Sequence, residues 1–201
     1  MNLTIILAHP NPASFNHALA HAAAEALAAA GHVARLHDLY AEGFDPLLPA
    51  AEIASAAALP ADLAAWCREV AAADGLVIVH PNWWGGPPAI LKGWIDRVLR
   101  PGVAYRFLAG DGGEGVPVGL LRARAAVVLN TANTPAEREQ AVFGDPLQRT
   151  WTDCVFGLCG VREVRRRVFG VVVSSSSEQR AAWLAEARAL VTECFGPARP
   201  A

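Results

Sequence analysis

Five short, mainly apolar runs constrain this chain more than any other feature. They are Leu3–Leu7 (LTIIL), Val33–Leu39 (VARLHDL), Leu76–His80 (LVIVH), Ala125–Asn130 (AAVVLN) and Val168–Val173 (VFGVVV). Runs rich in β-branched residues and bounded by polar, Gly or Pro positions predict strands buried on both faces, the pattern of a parallel sheet. Helical patterns lie between and after them: His17–Ala30 stopping at Gly31, Ala61–Ala73 behind Pro60, Ala89–Leu99, Leu147–Leu158 and Glu178–Glu193. In the third of these, Ile90, Leu91, Trp94, Ile95, Val98 and Leu99 fall on one face. Successive strand starts are 30, 43, 49 and 43 residues apart, room for a helical crossover each time. The alternation predicts an α/β fold, a doubly wound five-stranded parallel sheet with helices on both faces. It is read as one domain over residues 1–201.

Composition narrows the function. With 53% hydrophobic residues the chain is no disordered polypeptide. A net charge of −2 gives no basic field for nucleic acid or anionic lipid. Nor is it the strongly acidic surface of a small electron carrier. Met1-Asn2-Leu3-Thr4 lacks the cationic start of a secretory signal, and no apolar run approaches the ~18 residues of a membrane helix. Cytoplasmic localisation is expected. Cys67, Cys154, Cys159 and Cys194 show no C-x-x-C spacing and are expected to be reduced, buried thiols.

Ligands of open parallel sheets bind outside the carboxyl ends of the strands. The loops after strands one, three and four therefore carry the chemistry. The first is His9-Pro10-Asn11-Pro12-Ala13-Ser14-Phe15-Asn16. Ser14 or Asn16 can cap the following helix, whose free N–H groups and dipole favour an anion such as phosphate. The second is Pro81-Asn82-Trp83-Trp84-Gly85-Gly86-Pro87-Pro88. Adjacent tryptophans on a rigid turn cannot both enter one core, and one supplies a stacking wall for an aromatic ring. The third, Asn130-Thr131-Ala132-Asn133-Thr134-Pro135, is small and polar, able to bond the edge of a heterocycle.

Other patterns carry less. Gly110–Gly115 spells G-x-G-x-x-G, but Pro117 follows and no helix begins, so the dinucleotide fingerprint is rejected in favour of a loop. His17 and His21 stand four apart without a third ligand, which argues against a metal. Arg162, Arg165, Arg166 and Arg167 are expected at a solvated sheet end, where one could also meet a phosphate. There is no G-x-S-x-G elbow and no P-loop, so hydrolase and kinase readings fail.

The block Pro88-Ala89-Ile90-Leu91-Lys92-Gly93-Trp94-Ile95-Asp96-Arg97-Val98, behind Pro81…Trp84-Gly85-Gly86, resembles the flavin-dependent NAD(P)H:quinone oxidoreductases of the flavodoxin-like fold. So do Ala8-His9…Ser14-Phe15-Asn16, Asp38-Leu39-Tyr40…Phe44-Asp45-Pro46, Ala104-Tyr105 and Cys159-Gly160-Val161. That family also contains ancillary proteins of bacterial potassium-efflux systems. The resemblance implies that His9, Ser14, Phe15 and Asn16 hold the phosphate groups of a flavin. It implies that Pro81, Asn82, Trp83 and Trp84 run along the isoalloxazine, and that Asn130, Thr131, Ala132 and Asn133 bind from the fourth strand. FAD is favoured over FMN, with NAD(P)H as co-substrate, a quinone-like acceptor in the same stacking place, and a homodimer completing the pocket. Trp84 and Asn133 are the expected catalytic positions. A non-catalytic carrier or a regulatory subunit of an efflux system are the alternatives. Asn133 and Thr134 stand at glycine positions of the family, Phe143 at a histidine and Gly85 at an aromatic, leaving the acceptor and the route of the proton open.

Overall fold

A computed structural model describes residues 1–108, 110 and 114–197. Its central sheet is made of β1 (Asn2–Leu7), β2 (Val33–Asp38), β3 (Gly75–Pro81), β6 (Ala125–Ala132) and β7 (Glu163–Gly170). All four pairings are parallel, in the order β2-β1-β3-β6-β7. A two-residue hairpin, β4 (Tyr105–Arg106) against β5 (Val118–Gly119), stands apart. The predicted fold is the observed one.

Period-2 alternation divides each strand between two cores. On β3, Leu76 and Ile78 face one side with Leu91, Trp94, Trp151 and Phe156. Val77 and Val79 face the other with Leu19, Leu27, Trp183 and Phe195. Helices α1 (Phe15–Ala29) and α6 (Ser177–Phe195) cover the second side. Helices α2 (Ala61–Ala72) and α3 (Ala89–Val98) cover the first, with α5 (Pro146–Arg149) running on into a wide π-turn over Thr150–Gly157. A short turn, α4 (Ala136–Arg138), continues as a π-turn over Glu139–Phe143. Gly93 is where α3 meets the 44–47 segment. A Cβ there would lie 2.2 Å from the Pro46 carbonyl oxygen, so only glycine admits the contact. Behind it Arg97 holds Glu52 through Nε at 2.9 Å and Nη2 at 2.7 Å, fixing the loop that leads to α2.

Several expectations need correction. The fifth strand starts at Glu163, not Val168, so Arg165, Arg166 and Arg167 lie within it and Arg162 just before it. Arg166 is not solvated there: its side chain is 3% exposed and bonds Asn130 and Asp145. β2 is an edge strand with Val33 exposed rather than a strand buried on both faces. Cys154 is exposed, the other three thiols buried. The fourth strand runs two residues past its expected end at Asn130, so Thr131 and Ala132 belong to β6 and not to the loop beyond it. The rejected glycine motif falls partly outside the described residues, at 111–113.

Candidate functional site

The carboxyl ends of β1, β3 and β6 meet in one cleft. In-register pairing aligns Leu7 with Val79 and Pro81 with Thr131, so the three following loops leave the sheet side by side. Asn82 N donates to Thr131 O at 2.7 Å, and Asn16 Nδ2 donates to Thr131 Oγ1 at 2.9 Å, tying all three together.

The first half of the cleft, about 390 Å³, is lined by His9, Ser14, Phe15, Asn16, Pro81, Asn82, Trp83 and the 131–134 segment, with Arg180 from α6 at its rim. Ser14 is the N-cap of α1; its Oγ accepts from His17 N at 3.3 Å. The N–H groups of Phe15 and Asn16 then have no acceptor among the described residues, the ordinary condition of an open helix start. His9 Nδ1 accepts from Asn11 N at 3.1 Å, which leaves its Nε2–H to the cleft. Burial holds the His9 pKa below the usual histidine value. His17 is not poised for metal: its ring joins Ser14 Oγ and Asp38 Oδ2, both at 2.9 Å. This half gathers donors and positive potential, a set suited to phosphate.

The second half, about 700 Å³, is lined by Asn82, Trp84, Gly85, Ala132, Asn133, Thr134, Glu139, Val142, Phe143 and Pro146. Trp83 and Gly86 bond each other's backbone at 3.1 and 3.0 Å. Between them Trp84 (φ 56°) and Gly85 (φ 73°) both take left-handed backbone, the pattern of a type I′ turn. Glycine suits that turn; tryptophan does not. Trp84 is also fully exposed, so strain and exposure fall on one aromatic at the mouth of a cleft. A Cβ at Gly85 would meet Pro146 Cγ at 2.8 Å, which accounts for the missing aromatic at that position. Trp83 leans on His9, ring centroids 5.8 Å apart.

Eleven of the twelve expected site residues line the two halves. Asn130 does not. It is fully buried behind the wall, where its Nδ2 donates to His80 Nε2 at 2.8 Å and its Oδ1 accepts from Arg166 Nε at 2.6 Å. Trp151 Nε1 also donates to His80 Nε2, at 2.9 Å, so His80 carries its hydrogen on Nδ1 and gives it to Pro81 O at 2.8 Å. Burial drives the His80 pKa down to about 3. Arg166 Nη1 reaches Asp145 Oδ2 at 2.6 Å, beside Pro146 of the cleft wall. Sequence reasoning missed Glu139 and Arg180. Neither lies in a recognisable motif, and only the fold brings them to the cleft.

Comparison with known proteins agrees with this geometry. The family description "flavodoxin-like fold" matches residues 1–191. A protein of Haemophilus influenzae named an uncharacterized NAD(P)H oxidoreductase is 33% identical over 174 residues, spanning 85% of this chain and 84% of its own. A mouse ribosyldihydronicotinamide dehydrogenase (quinone) is 30% identical over 204 residues, spanning 88% and 84%. The solved NAD(P)H:quinone oxidoreductase of Methanothermobacter marburgensis superposes with a TM-score of 0.79 at 29% identity, covering 95% of both chains.

Proposed function

This chain belongs to the flavodoxin-like fold family, and we propose that within it the protein is a flavin-dependent oxidoreductase passing hydride from NAD(P)H to a quinone-like planar acceptor. The observation that carries the reading is one cleft with two chemistries. Donors at a capped helix start stand on one side, and an exposed, left-handed tryptophan stands on the other. Those residues fit the group. The Phe15 and Asn16 N–H groups, the His9 Nε2–H and Arg180 would hold phosphate, while Trp83, Trp84, Pro81 and the 131–133 segment would border the ring. FAD and FMN both suit this donor set; the resemblance of the His9-to-Asn16 loop to the family's FAD-binding branch is what favours FAD.

Bound flavin supplies the two-electron chemistry. The chain's residues bind and orient. Trp84, Val142, Phe143 and Pro146 give the planar partner an apolar slot that excludes water, and orientation in such a slot is a large rate term. Backbone N–H groups after β6, with the Asn133 side chain at the same wall, would donate to the edge of the bound ring and hold it in place. Asn133 is itself fixed, its Oδ1 accepting from Val173 N at 2.9 Å. The exposed Trp84, Val142 and Phe143 leave the slot open on one side; a second copy would close it, so the working form is a homodimer. The supporting homologues are enzymes by name, and no helix among the described residues is long and apolar enough to cross a membrane.

Purified protein is expected to be yellow, to release flavin on heating, and to oxidise NADPH rapidly with menadione in air. Bleaching without turnover would favour a carrier or regulatory role. A colourless protein that takes up neither FAD nor FMN would end the proposal.

A further inference from the structure

The slot beside Trp84 is lined by apolar and neutral polar side chains with one exception. Among the described residues lining it, Glu139 alone has a formal charge. Its Oε1 accepts from Asn82 Nδ2 at 3.0 Å. Asn82 is held in turn, its N donating to Thr131 O at 2.7 Å and its Oδ1 accepting from Gly85 N at 3.1 Å. No ion pair joins Glu139 to an arginine or lysine among the described residues, so the carboxylate stands fixed on the wall with its charge uncompensated there. The hydrogen bond to Asn82 anchors one oxygen and leaves the second without a partner among the described residues.

A fixed charge acts on whatever stacks beside it. Aromatic walls displace water, which strengthens Coulomb interactions over a few ångströms relative to bulk solvent. An anionic group entering that space meets like charge, and rejection by repulsion is a general route to specificity. Resting on the reading of this half as the acceptor site, we propose that Glu139 is a charge selector that excludes anionic acceptors. The acceptors of this protein are then uncharged or cationic planar aromatics. Sulfonated or carboxylated rings of the same shape are poor ones. The opposite half of the cleft carries the opposite sign, with Arg180 and the start of α1 at the phosphate side. Charge of the two signs is thereby sorted along one groove.

Equilibrium binding to the flavin-loaded, oxidised protein, without NAD(P)H, tests this by tryptophan quenching. The probes are 1,4-naphthoquinone and its 2-sulfonate. Wild type is expected to hold the uncharged ring about tenfold more tightly, the effect of one like charge at short range in a partly wet site. Glu139→Gln is expected to bring the two affinities within about threefold, and Glu139→Lys to invert their order. Glu137→Gln, which alters an acid outside the slot, is expected to keep the wild-type ratio, and lowering salt is expected to widen it. An unchanged ratio in Glu139→Gln, or an equal shift in Glu137→Gln, overturns the proposal. If neither quinone binds, the acceptor-site reading falls with it; if NADPH is not oxidised while the ratio behaves as expected, only the catalytic reading fails.

Discussion

Trp84 bears two costs at once, left-handed backbone and a large aromatic in water. Replacing it with glycine is expected to stabilise the protein by about 1 kcal/mol in denaturant unfolding, because the turn suits glycine. Trp84→Ala keeps the fold, and both variants are expected to retain less flavin and turn over more slowly. Unaltered flavin content and rate would show that Trp84 is not the stacking wall. His80 makes a prediction of the opposite kind, on stability and not on turnover. Its folded pKa of about 3 lies below the ordinary histidine value near 6.5. The unfolded chain therefore binds more protons between those limits, and stability rises with pH there. The contribution is complete above about 6.5 and is lost as pH falls toward about 3, with a slope up to roughly 1.4 kcal/mol per pH unit. Chemical denaturation across that window should show the slope in wild type and its loss in His80→Gln.

At the level of elements, β7 shows where sequence reading failed and why. Val168–Val173 looked like the strand because it is the apolar part, while Glu163–Arg167 reads as a charged connection. An edge strand tolerates arginines, and Arg166 is buried only because Asn130 and Asp145, 36 and 21 residues away, accept its hydrogens. No local pattern announces partners at such distances. Removing one member of so buried a pair strands the other, so Arg166→Met is expected to cost about 3–5 kcal/mol in equilibrium unfolding. The β3 loop was the reverse case. Trp83-Trp84 between proline and glycine residues could be read directly, since two aromatics on one stiff turn leave no room in the core for both. Gly93 offers a packing test of α3: Gly93→Ala drives a methyl into the Pro46 backbone and is expected to lower stability by about 1–3 kcal/mol by thermal unfolding.

For the molecule as a whole, the parallel α/β sheet and the location of the cleft were legible, because hydrophobic period and spacing predict a doubly wound sheet and the sheet sets where its loops converge; the strand order came only with the family resemblance. Assembly was not, since the surfaces that would meet are scattered along the chain. Sedimentation is expected to give twice the 21.2 kDa chain mass, and dilution to monomer is expected to release flavin. A monomer that keeps its flavin would refute the shared pocket. The manner of association is constrained by the sheet's two outer strands. β2 carries Arg35, His37 and Asp38 and β7 carries Glu163 and Arg165–Arg167, and charged side chains along a free border discourage another strand from adding to it. Copies of this protein are thus steered away from zipping backbone to backbone into a continuous ribbon. Any pairing of copies would then run through helices and loops, and only a self-complementary contact of that kind closes at two instead of growing without end.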